Sequence, residues 1–181
     1  GITKRPVPEG PTTLVEGAPE TLGSFLQPQD QIQAQQFQAV WTRLWPLARA
    51  QYPHLAEAPV RLRLVRGAGR LAFVDARETI VLDEALLASP ALLELELTEE
   101  LTHVARNYDP RGPPTLEERA WLELLTDQAK GLRFRQFSLA QQLEVLETLL
   151  FTPELDRHGF ARVLLQSLTD QATIDELLAS L

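Results

Sequence analysis

The sequence predicts an α+β domain: one helix, then a small, mostly antiparallel sheet, then a helical half. Three observations carry this. Apolar residues across 29–51 recur at the helical period, the stretch 60–82 breaks into three short apolar segments separated by turn residues, and the pattern after Leu82 is helical nearly to the end. At 181 residues and 44% hydrophobic, the chain can bury a substantial core and is not a disordered polymer.

In the first helix Ile32, Gln36, Val40, Leu44 and Leu47 form a stripe with Phe37 and Trp41 beside it, expected as core packing. Asp30 is placed to cap its start, and Pro46 is expected to kink or end it. In the sheet, Val60, Leu62 and Leu64 alternate with Arg61 and Arg63, as in a half-buried strand. Gly67 and Gly69 break it, a second strand follows at 71–74 across a hairpin-like turn, and a third at 79–82, giving a meander. A short helix opens at Asp83. Ser89 and Pro90 then start a longer one that runs to Asn107, with proline at the favoured first position. Thr115 caps the next helix, with Glu118 three residues on completing a capping box. Further helices are expected at 139–151, 160–168 and 174–181.

These elements divide the chain into an extended Pro/Gly-rich arm (1–28), an α+β domain (29–130) and a C-terminal helical subdomain (131–181). No regular element is expected in the arm, and Phe25 and Leu26 are its anchors. The net charge of −8 argues against a phosphate-tracking nucleic-acid binder, and no apolar run reaches the roughly 20 residues that span a bilayer. The absence of cysteine removes disulfides, thiolate metal sites and a thiol nucleophile. The expected compartment is the cytoplasm, and Gly1 reads as a tag remnant or a processed end.

Chemistry concentrates on the helix after Pro90. Leu93, Leu97, Leu101 and Val104 form its apolar stripe, while Glu99 and His103, four apart, share another face with Glu100 at its edge. Side chains so spaced can reach one metal ion, with a neighbouring carboxylate placed to act on a bound water. The plainer alternative is a solvated face, in which Glu96, Glu99, His103 and Arg106 make weak i,i+4 pairs and Glu117 and Glu118 serve only as first-turn acids. His54 is expected exposed in a loop, and His158 near a helix C-terminus.

The stretch from Glu99 to Val104, preceded by a strand and a Leu-rich approach, resembles the gluzincin-type zinc metallopeptidases over residues 60–124. The resemblance implies a zincin-like fold, metal ligands at Glu99, His103 and Glu117 (followed three residues later by Ala120), and Glu100 as general base. Glu118 is the alternative third ligand. This chain has Glu99 where the family has its first histidine, so the ion implied is zinc or another divalent ion. Trp121 stands where the family often places a ligand-orienting Asp. Two functions follow: a degenerate metallopeptidase-like domain that binds a protein or peptide, a second copy of the chain included, or an active peptidase with altered ligands.

Overall fold

The computed structural model describes residues 11–18, 31–58, 60–156, 159–167, 175 and 179. Among them are four strands, β1 (Thr12–Gly17), β2 (Arg61–Arg66), β3 (Ala72–Val74) and β4 (Thr79–Asp83), and five helices. The helices are α1 (Gln31–Gln51), α2 (Pro90–Asn107), α3 (Leu116–Gln136), α4 (Leu139–Phe151) and α5 (Phe160–Ser167), with 3-10 turns at Pro53–Glu57 and Glu84–Ala88. The fold is α+β, as expected. The expectations for Asp30, Phe25, Leu26, His158 and residues 1–10 lie outside the described residues.

The sheet departs from the expected meander. Its order is β1-β2-β4-β3, with β2 and β4 parallel and the outer pairings antiparallel. The cause is burial. Every residue of β4 is buried, and an unbroken buried run belongs in the sheet centre, where it takes two neighbours. The half-buried β3 is displaced to one edge. At the other edge lies β1, a strand inside the segment read as irregular. Leu14, Val15 and Glu16 fit between the breakers Pro11 and Gly17, and Val15 enters the core.

Asp83 ties the sheet to the helical half. Buried at the end of β4, its carboxylate accepts from the Ala68 amide (3.0 Å) in the glycine loop and from the Ala85 amide (2.9 Å) in the 3-10 turn. Asp83→Ala is expected to cost about 1–3 kcal/mol by orphaning both donors. An unchanged urea midpoint would show that neither bond contributes.

Helix α1 packs Phe37, Val40, Trp41 and Leu44 into the core, and Trp45 stacks on Trp41 at 5.1 Å. One expectation fails here: Leu47 is exposed. Of the two outcomes expected at Pro46, the helix does not end there and runs on to Gln51. Helix α2 starts as expected, with Ser89 Oγ accepting from the Leu92 amide at 3.1 Å and Pro90 in the first turn. It lies among the other elements, and twelve of its 18 residues are buried. Glu94 shows how this is achieved: one oxygen meets Arg133 of α3 (3.0 Å) and the other Arg43 of α1 (3.3 Å). His54 is likewise half-buried rather than exposed, its Nε2 donating to the Ala105 carbonyl of α2 at 2.6 Å.

Candidate functional site

The apolar stripe of α2 is buried as its period requires, and this turns the acidic side toward α3. Glu96, Glu99 and Glu100 are between 5% and 8% exposed, so this is not a solvated face. From α3, Lys130 reaches in: its ammonium lies 3.1 Å from Glu96 and bonds directly to the outer oxygen of Glu99. The Phe160 ring of α5 covers the same ammonium at 4.5 Å, and Asp156 fixes α5 by accepting from the Phe160 and Ala161 amides.

His103 Nε2 donates to Glu123 of α3 at 3.0 Å and lies 3.8 Å from Glu99. These acids, together with the ammonium, define the electrostatics. Burial opposes charge on His103, but the bonds to Glu123 and Glu99 push its pKa up to about 10. Burial likewise raises Glu99, yet His103 and Lys130 override it and hold the carboxyl at about 2. Burial would strip Lys130 of its proton, and the charges of Glu96 and Glu99 raise its pKa instead. For Glu96, burial outweighs Lys130 and the shift is upward. Glu100 has the least help: burial, with the charge of Glu99 behind it, pushes it up to about 8.

The structure therefore brings Glu99, Glu100 and His103 together but not Glu117, which is exposed and outside the cluster. Glu118 is also exposed, and it pairs with Arg106 while completing the capping box of Thr115. The acid that meets His103 is Glu123. Trp121 is 58% exposed. Glu123 and Lys130 were missed in the sequence, although Lys130 left a trace: the chain has two lysines, Lys4 and Lys130, against fifteen arginines.

A divalent ion fits this arrangement by distance but not by charge. One ligand atom each from Glu99, His103 and Glu123 can lie within 4.8 Å of the others, as can oxygens of Glu96, Glu99 and Glu100. The His103 nitrogen facing the acids is engaged by Glu123, and the Glu99 carboxylate is already bonded to an ammonium. The donor set does not fit zinc as it stands.

Around these groups opens a cavity of about 580 Å³, bounded by β3, α2, α3 and the side chains of Leu155, Asp156 and Phe160. Among the described residues strand β3 pairs on one side only. Leu71 and Asp75 bond to β4 through Asp83 and Thr79, so the alternation of an antiparallel ladder leaves the amides and carbonyls of Ala72 and Val74 on the open side. No helix among the described residues is long and apolar enough to cross a membrane. No protein-family model, curated protein or solved structure matches the chain.

Proposed function

We propose that the chain is a degenerate, zincin-like metallopeptidase domain that works without a metal and binds an extended peptide along β3. The observation behind this reading is Lys130: an ammonium holds Glu96 and Glu99, and a protonated His103 joins Glu99 to Glu123, where the resemblance implies a metal ion. With its donors engaged by internal cations, Glu100 has no activated water to deprotonate. What remains usable is the rim of the cavity. A peptide strand adds to the unpaired side of β3 through Ala72 and Val74, as exposed sheet edges allow, and its side chains alternate into and out of the cavity.

Metal content and a strand-blocking variant test the two halves of the reading. Untagged protein is expected to carry no stoichiometric transition metal. Zinc present one-to-one and lost in His103→Ala would restore the peptidase alternative, with Glu100 as its base. Glu99→His supplies a second imidazole beside His103 and Glu123 and leaves Lys130 on Glu96. It is expected to raise zinc affinity roughly tenfold or more. Val74→Pro removes an outward amide without touching the β4 ladder, and is expected to abolish peptide-induced amide shifts in β3. Unchanged peptide binding by this variant would rule out strand addition there.

A further inference from the structure

The acids around the cavity are not equivalent. Lys130 satisfies Glu96 and Glu99, His103 satisfies Glu123, and Asp156 is spent on the amides that begin α5. Glu100 is different. It is 95% buried (5% exposed), it lines the cavity, and its carboxylate has no hydrogen bond or ion pair among the described residues. The charged groups nearest to it are Glu96, Glu99, His103 and Lys130. The cavity as a whole is lined by six acids (Glu96 and Glu99 with Glu100, Glu123, Asp127 and Asp156) against four basic side chains (His103 and Lys130 with Arg70 and Arg119). The Glu100 oxygens are not sealed in the protein but open to the cavity, so a partner for the charged form, costly to leave unpaired there, has to come from outside the chain.

We infer that the cavity receives one basic side chain, lysine or arginine, of the bound peptide, and that Glu100 is its counter-charge. The cavity volume accommodates a side chain of that size, and Leu71, Leu122, Leu155 and Phe160 line it with carbon for the methylenes of a long basic residue. A monocation there halves the excess of two acids and gives Glu100 the partner it lacks. This rests on the peptide-binding reading and names the residue that reading requires.

The test uses n-butylguanidinium and its neutral isostere n-butylurea, titrated into the full chain at pH 8.5, where Glu100 is ionised, with amide shifts recorded by NMR. The guanidinium is expected to bind at least roughly tenfold more tightly than the urea. In Glu100→Gln the preference is expected to vanish. Equal binding of the two probes by the unsubstituted protein overturns the inference, as does a preference that survives in Glu100→Gln. A stoichiometric divalent ion lost in Glu100→Gln overturns it too, by giving the carboxylate to a metal. Acetyl-Ala-Arg-Ala-amide and its citrulline analogue separate this inference from strand addition. If both peptides bind equally and shift the β3 amides, the edge reading stands and the basic-residue inference falls. If the arginine peptide binds more tightly than the citrulline peptide but leaves the β3 amides unshifted, the basic-residue inference stands and strand addition falls.

Discussion

Lys130→Met is expected to destabilise the protein by about 3–5 kcal/mol at neutral pH, the largest effect of any single substitution considered. Removing the ammonium leaves Glu96 without its cation and Glu99 with His103 alone, the two acids facing each other in a buried site. The loss is expected to shrink below pH 5, because the stranded carboxyls then take up protons at less cost. A urea midpoint that does not move on substitution would mean that the ammonium contributes nothing. Adding Glu96→Gln and Glu99→Gln to Lys130→Met should recover much of the loss, since the cost lies in uncompensated charge rather than in lost volume. Methionine keeps the methylenes that pack beneath Phe160.

The second large effect is in the pH profile. A carboxyl whose folded-state pKa is raised stabilises the fold fully below its unfolded value, and this contribution is lost as pH climbs through the folded value. For Glu100 that window runs from 4.5 to about 8. At about 1.4 kcal/mol per pH unit the full span is on the order of 4–5 kcal/mol, an upper bound because its neighbours titrate with it. His103 acts in the same direction over 6.5 to about 10, since its attraction to Glu123 and Glu99 disappears as it loses its proton. Glu99 acts oppositely at the acid end, where stability falls as pH drops from 4.5 to about 2. Maximum stability is therefore expected near pH 4.5, where the loss through Glu99 on the acid side meets the loss through Glu100 on the alkaline side. Glu100→Gln should flatten the decline between pH 5 and 8 and be the more stable protein at pH 8. Parallel urea-midpoint curves for the two proteins would show that Glu100 is not held in a protonated state by its surroundings.

Local chemistry was legible in the sequence, and pairing across distance was not. The start of α2 at Ser89 and Pro90, the capping box of Thr115 and Glu118, and the bounds of α4 follow from residues within one turn of each boundary. Strand order follows from which segment is most completely buried, and no local pattern fixes which strand lies beside which. The mistaken third acid has an equally plain cause. The buried side of α3 is set by Thr126, Lys130, Gly131 and Phe134. At about 100° per residue, Glu123 lies on that side, roughly 60° from Thr126 and 20° from Lys130, whereas Glu117 falls roughly opposite. Spacing from Ala120 favoured Glu117, but the inward rotation of α3 selects Glu123. One of only two lysines in an arginine-rich chain was the available clue, because a buried ammonium suits a pair of carboxylates on one helix.

Strand β3 is three residues long, outermost in the sheet, and forms one wall of the cavity. Its detachment leaves β1, β2 and β4 paired, so the amide of Phe73 should exchange with deuterium well before those of Leu64 or Leu82. Anything that docks against this wall then adds protection where the native protein has least. Occupancy would be read as slowed exchange at Phe73, with little change along the central ladder.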